Sequence, residues 1–279
     1  GGNFMDYSQY SLAKTGYLKE DFQLFHINDR TDREFEWHYH DFHKIIVFVS
    51  GKVTYHIEGK AYQLKPQDIL LVSQGAIHKP EIDPSIPYER YIFWIRDDLS
   101  SPELNTCFQK ANDRSFNLIR LDSVLQEKLK DLLPEIEHSL RDAQFGDSIL
   151  SKALFTQFMV YINRIFLKSS TAPDQKSYSS DSQVEQLLKY INRNLSENLS
   201  IDHLAERFFF SKYHMMRKFK KETGYTIHNY IISKRLLRAR SLIAQGTPVM
   251  KAAMQSGFQD YTAFVRAYKK QFGTVPTQR

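Results

Sequence analysis

At 279 residues the chain is long enough for about two domains, and its 42% hydrophobic and 25% charged content is that of a globular protein rather than a disordered one. No apolar run reaches the ~18 residues a membrane span needs and no secretory signal opens the sequence; the single cysteine, Cys107, cannot close an internal disulfide, which fits a reducing cytoplasm. The net charge of +6 is unevenly spread: residues 183–279 hold 17 Lys+Arg against 6 Asp+Glu, whereas residues 1–182 hold 21 against 26. A basic C-terminal part points to a polyanionic partner, nucleic acid ahead of a membrane, because none of its helices carries a broad exposed apolar face.

From Phe35 onward the pattern has period two. Ile45, Val47 and Val49 alternate with Ile46, Phe48 and Ser50; Gly51 breaks the run, and Val53, Tyr55 and Ile57 resume it up to the turn at Glu58-Gly59-Lys60. Tyr62–Leu64, Ile69–Val72 and Tyr88–Ile95 continue the series. Short antiparallel strands joined by tight glycine turns predict a small barrel or jelly roll. His38-Tyr39-His40, Gly51 and the run from Lys65-Pro66-Gln67-Asp68 to Gly75-Ala76-Ile77-His78 resemble the two half-motifs of a cupin barrel. In metal cupins that resemblance implies two histidines, an acid and a later histidine around a divalent ion. His38 and His40, two apart, face one side of a strand, as a metal pair must. The acid is missing, however, and Lys44 stands in its place, where a cation repels a metal. Three readings therefore compete: a metal site, histidines hydrogen-bonded within a barrel, and a pocket for an organic effector. The last is the expectation, with no metal and no cofactor, and with His38, His40, Lys44, Tyr55, His78 and Trp94 as its lining and Lys44 reaching an anionic or hydroxylated group.

After Asp97 the period becomes helical. Leu125, Leu129, Leu132, Leu133, Ile136 and Leu140 mark one helix, with a kink or fresh start expected at Pro134. Ile149, Ala153, Phe155, Phe158, Met159, Ile162 and Phe166 mark a second, from about Ser148 to Leu167, apolar nearly all round. Either it packs on the barrel or it makes a dimer interface. Residues 169–182 are Ser-rich and aperiodic, which predicts a linker between a domain at 5–168 and one at 183–279.

In the C-terminal part Arg217-Lys218-Phe219-Lys220-Lys221-Glu222-Thr223-Gly224 is echoed 49 residues later by Arg266-Ala267-Tyr268-Lys269-Lys270-Gln271-Phe272-Gly273. The helices before each copy correspond as well, so one supersecondary unit occurs twice. Val184, Leu187, Leu188 and Ile191 line an opening helix. Ser200 caps the next, and the turn Phe209-Phe210-Ser211 leads to a helix closed by Gly224, together a helix-turn-helix. In the second unit Thr247-Pro248 reads as a cap with proline at the first helical position, Ala253 and Gly257 give a close crossing, Phe258 plugs the core and Asp260 caps the last helix. Between the units a helix of roughly 19 residues, from about Thr226 to Ala244, spans about 28 Å, close to the ~34 Å between successive major-groove faces of a duplex.

Residues 184–279, with Ala205, Ser211, Arg217, Phe219-Lys220-Lys221, Gly224, Pro248, Gly257-Phe258, Phe264, Arg266, Lys269-Lys270, Gly273 and Pro276, resemble the tandem helix-turn-helix domain of AraC/XylS transcription regulators. Ala252, where the family usually has a larger aliphatic, and an ending at Pro276-Thr277-Gln278-Arg279 without the aromatic that usually precedes the final Arg are departures that loosen the second unit and the last turn. The resemblance implies an α+β protein of two domains: a cupin-like β-barrel with following helices for sensing and dimerisation, and an all-α tandem helix-turn-helix domain. It further implies base contacts from Tyr213, Met216 and Arg217 and from Tyr261, Thr262 and Arg266. Tyr213, Met216 and Arg217 share one helix face, and each Arg suits a bidentate contact to guanine, whereas Lys212, Lys218, Lys221, Lys269 and Lys270 suit phosphates. The expected protein is a cytoplasmic, homodimeric regulator, an activator by family analogy, not an enzyme. Its partners are double-stranded promoter DNA, RNA polymerase and a small-molecule effector, for which sugars are the common class, and none is a membrane. Two alternatives stay open: a metal-dependent cupin enzyme with a basic appendage, and a constitutive DNA-binding dimer without an effector.

Overall fold

The computed structural model describes residues 18, 20–32, 34–141, 144–168 and 178–277. Strands β1 (Phe22–Asp29), β2 (His43–Ser50), β3 (Val53–Ile57), β4 (Lys60–Gln63), β5 (Ile69–Val72), β6 (His78–Ile82) and β7 (Tyr88–Ile95) follow one another. A short 3-10 turn, helix α1 (Thr106–Arg114), strand β8 (Leu118–Ile119) and helices α2 (Ser123–Arg141) and α3 (Asp147–Lys168) complete the first part, and strand β9 (Tyr178–Ser180) comes after them. The strands form two sheets, ordered β1-β7-β2-β5-β8 and β6-β3-β4-β9, that face each other. This is the expected cupin-like β domain, although no ladder closes the two sheets into a continuous barrel among the described residues.

Alternation along the central strands explains the layering. Ile45 and Val47 of β2, Ile69 and Leu71 of β5, and Phe93 and Ile95 of β7 pack with Phe155, Phe158 and Ile162 of α3 and Ile136 of α2 in one core. The intervening Ile46, Phe48, Leu70, Val72, Ile92 and Trp94 pack with Tyr55, Ile57 and Tyr62 of the second sheet in another. Both faces of the five-stranded sheet are thus covered, and its strands read as continuous apolar runs. Pro134 neither ends nor restarts α2, which runs unbroken across it. On α3, Phe155, Phe158, Met159, Ile162 and Phe166 are buried against the sheet, while Ile149 and Ala153 are exposed.

Of the stretch expected to be a linker, residues 169–177 lie outside the described residues. Tyr178–Ser180 is not aperiodic: it pairs with β4, Tyr62 opposite Tyr178, and Asp181 then caps the next helix by accepting from the Gln183 and Val184 amides.

Helices α4 (Ser182–Arg193), α5 (Ile201–Arg207), α6 (Lys212–Thr223), α7 (Ile227–Ala244), α8 (Val249–Gln255) and α9 (Tyr261–Phe272) make the second part. Helices α5 and α6 are the first helix-turn-helix and α8 and α9 the second. Ser200, Ser211, Thr226 and Asp260 each accept a backbone N–H at a helix start. Gly224 and Gly273, at φ 75° and 74°, end α6 and α9 in the left-handed conformation that glycine adopts without strain. Helix α8 departs from expectation in one detail: Pro248 is itself the cap residue, not the first helical one, and no side chain caps that end. The connector α7 divides its buried face, Ile227, Tyr230 and Ile231 joining the core of the first unit and Leu236, Ala239 and Ile243 that of the second. The units are therefore tied together through one helix. Gln278 and Arg279, part of the loosened last turn expected above, lie outside the described residues.

Candidate effector site and nucleic-acid interface

The six residues expected to line a pocket come together. Lys44 of β2 lies directly across from Trp94 of β7, and Tyr55 of β3 stacks on His78 at 6.1 Å between ring centroids. The segment before β2 brings in His38, whose backbone bridges that of His78, and His40. The three imidazoles stand 4.4–5.2 Å apart, and Phe42 lies against both His40 and Trp94. His40, Lys44, Tyr55, His78 and Trp94 are all buried, while His38 is half-exposed and forms the outer edge.

The donor set does not fit a divalent ion. Ligand nitrogens of His38, His40 and His78 do lie within 4.8 Å of one another. His78 Nδ1, however, donates to Ala76 O at 2.8 Å, which leaves Nε2 as its lone-pair nitrogen, and that atom is 3.3 Å from Lys44 Nζ, which donates to it. A metal would have to displace the lysine and then sit beside its charge. Burial, with the Lys44 charge adding to it, holds the His38 imidazole down to about 4 and His78 well below its ordinary value, so both rings are neutral near pH 7. Burial and the neighbouring Arg90 push the Lys44 amine down to about 7.

The same segment faces two ways. His38 and His40 point into the cluster, while Trp37 and Tyr39 join the core of the first helix-turn-helix unit. Tyr225 donates to Trp37 O at 3.4 Å, and the Tyr39 and Ser233 hydroxyls are 3.3 Å apart. A Cβ at Gly224 would strike the Trp37 ring, and one at Gly75 would strike Leu237, so both contacts need glycine. Beside them Glu58 receives Ile77 N–H at 2.9 Å, Lys234 Nζ at 2.8 Å, Asn192 Nδ2 at 3.3 Å and the Tyr230 hydroxyl. Burial by itself would raise this carboxyl, but Lys234, Tyr230 and the Ile77 amide together hold it below its ordinary value. Arg240 grips Asp41 from the far end of α7, through the carboxylate at 3.0 Å and the backbone carbonyl at 3.1 Å. Sequence reasoning missed Glu58, because a Glu-Gly pair in a hairpin reads as an exposed turn. Asp41, one residue past the His38–His40 pair, was also missed.

In the helical part, Tyr213, Met216, Arg217, Tyr261, Thr262 and Arg266 are all exposed. They occupy α6 and α9, and Arg217 lies over the Tyr213 ring at 6.0 Å. Lys221, Lys269 and Lys270 are exposed, and Lys212 pairs with Asp202. Lys218 differs from the expectation of a phosphate contact: it is 25% exposed, bonds Asp181 at 2.9 Å and donates to Gln183 at 2.7 Å. Its charge clamps α6 to the start of α4. The pattern of i, i+4 and i+7 positions does not distinguish such a lysine from a free one.

Residues 23–159 match the model of the AraC-like ligand binding domain, and residues 204–279 match a helix-turn-helix domain model. The chain belongs to the AraC/XylS family of transcription regulators. It has the family's two parts, a ligand-binding domain and a helix-turn-helix DNA-binding domain, and it is an effector-responsive, DNA-binding regulator. Among AraC/XylS relatives, the transcriptional activator RhaR of Mannheimia succiniciproducens is 23% identical over 88% of this chain and 86% of its own length. The uncharacterised regulator YbfI of Bacillus subtilis is 25% identical over 82% and 80%. A crystal structure of ToxT from Vibrio cholerae aligns over 92% of this chain and 95% of that one, at 14% identity and a TM-score of 0.37. Among the described residues no helix is long and apolar enough to cross a membrane.

Proposed function

We propose that the protein is a transcription activator, without catalytic activity, that reads two successive major-groove segments of promoter DNA with α6 and α9. The observation that carries this reading is that Arg217 and Arg266, equivalent positions of the two units, are both exposed on helices that share one connector. Each arginine suits a guanine O6/N7 pair, worth roughly 1–3 kcal/mol of discrimination. Tyr213, Met216, Tyr261 and Thr262 pack on neighbouring base edges. Lys212, Lys221, Lys269 and Lys270 neutralise phosphates. The activator assignment rests on the names of the RhaR and RhaS relatives, and it brings with it a cytoplasmic location and RNA polymerase as a partner.

The effector binds at the His38–His40–His78 cluster. Occupancy there shifts Trp37 and Tyr39, the outward residues of the same segment, and so changes how the first helix-turn-helix unit docks. A ligand does this only if it binds the two docking arrangements unequally. Self-association uses the tip of the α2–α3 hairpin, where Leu140, Phe145, Ile149 and Leu150 are exposed together, and sedimentation of Ile149→Glu checks it, with a monomer expected.

The DNA reading is tested by selecting bound duplexes from a randomised pool and measuring the Arg217→Ala, Arg266→Ala double variant on the winners. Sequence preference is expected to vanish while weak, salt-dependent binding stays. A double variant that still prefers the selected duplex would sink the assignment of α6 and α9.

A further inference from the structure

We infer that the histidine cluster takes a small organic acid, with the ligand's carboxylate received by Lys44, in preference to a neutral polyol. The inference rests on the cluster being the effector site and adds the chemical class of its ligand. Two lysines are fully buried among the described residues, Lys44 and Lys60. Lys60 has its counter-charge, Glu185, at 2.8 Å. Lys234, the half-buried lysine of the domain contact, has Glu58 at 2.8 Å. Lys44 has no carboxylate within ion-pair distance among the described residues. Its hydrogen-bond partner is the neutral His78 Nε2 at 3.3 Å. Nearby Arg90 is also buried, pairs with Asp29 and adds positive field at Lys44.

A buried ammonium without an anion is costly, and elsewhere this fold supplies the anion from its own chain. At Lys44 no described residue supplies one. The rest of the lining agrees. Lys44, Tyr55 and Trp94 bring N–H or O–H groups, the His78 lone pair is taken by Lys44, and no Asp or Glu side chain belongs to the cluster. Such a lining holds donors and no anion, and its acceptors include His38 Nε2, which the His38 Nδ1–Glu36 O bond leaves with a lone pair. A carboxylate is all acceptor and forms a charge-assisted bond with Lys44, which a neutral sugar hydroxyl does not. Phe42, Tyr55 and Trp94 wall the site, which restricts the acid to a short one, and His38, the half-exposed member, marks its entrance.

The test uses the full chain and two sets of probes at matched ionic strength: acetate, pyruvate, succinate and citrate against L-rhamnose, L-arabinose and glycerol. Thermal unfolding and titration calorimetry are read for the wild type, Lys44→Met and Lys44→Gln. At least one acid is expected to raise the wild-type midpoint by more than about 2 °C, since a ligand stabilises the state it binds. Both Lys44 variants are expected to lose that response while unfolding, without ligand, at or above the wild-type midpoint. If only a neutral sugar shifts the midpoint, the acid assignment is wrong and the effector reading of the cluster stands. If an acid response persists in both variants, Lys44 is not the receiver. If neither class changes the wild type, the acid assignment and the effector reading fall together.

Discussion

The Lys218 ammonium, held by Asp181 and Gln183, and the Lys221 ammonium, 83% exposed one turn later, separate two uses of a basic helix. A lysine already committed to an ion pair with its own chain is not available to replace counterions on DNA. Lys221→Ala is therefore expected to flatten the slope of log affinity against log salt by about 0.9, the release of one phosphate contact. Lys218→Ala is expected to leave the slope unchanged and to lower the unfolding midpoint instead, because α6 loses its hold on α4. Fluorescence anisotropy across a salt series, with thermal unfolding in parallel, checks both. His38 gives a second residue-scale prediction. Its folded imidazole titrates near 4 against 6.5 when unfolded, so between those values the unfolded chain holds a proton the folded one lacks. Stability should fall as the pH drops through that window and gain no further His38 contribution below it. Replacing His38 with Gln should remove that component from a pH series of unfolding midpoints.

At the scale of elements, the helical part was legible because its signals are local. Ser200, Ser211 and Asp260 announce helix starts, Gly224 and Gly273 announce ends, and a 49-residue echo announces two units. Each capping signal acts within about one turn of the chain. Asp260→Ala is accordingly expected to cost about 1 kcal/mol and to weaken α9, and so binding by the second unit, more than the first; protection of the α9 amides from hydrogen exchange measures it. The sheets were half legible. Strands β2, β3, β5 and β7 carry their own alternation, but β9 is Tyr-Ser-Ser and becomes a strand only because β4 offers an unpaired edge. Strand β6 contains Pro80, which argues against a strand from sequence, and is admitted because its one ladder is with β3, the other side carrying the single His38–His78 bridge. Of the six cluster residues, the half-motifs mark His38, His40 and His78 and the place of Lys44, whereas Tyr55 and Trp94 lie on strands outside them. Lys218 and Glu58 were misjudged or missed for a common reason: their side-chain partners lie 35 or more positions away in sequence.

At the scale of the whole molecule, the contact between the two parts joins the apolar packing of Trp37, Tyr39 and Ile77 to a polar group around Glu58. Glu58 gathers Lys234, Tyr230 and Asn192 from the DNA-binding part and the Ile77 amide from its own part, and Ile77 is the residue before His78 of the cluster. Glu58 thus sits one peptide unit from the cluster. With only 19% of the Glu58 side chain and 15% of the Lys234 side chain exposed, the pair is shielded enough to matter, though not fully desolvated. Glu58→Gln keeps the shape and removes the charge, and it is expected to weaken docking on the order of 2 kcal/mol, about 30-fold in the docked to undocked ratio. Because the Glu58 carboxyl is held below its ordinary value, its contribution is fully present above the ordinary Glu range and is lost as the pH falls below it. Hydrogen exchange of residues 37–41 and 225–240 in the full chain reads the docking directly. Faster exchange of both segments together in Glu58→Gln, with α8 and α9 unchanged, is the expected outcome. Unchanged exchange in 37–41 would mean that Trp37, Tyr39 and the glycines at 75 and 224 hold the two parts together without Glu58, and that the path from cluster to helix-turn-helix runs through packing alone.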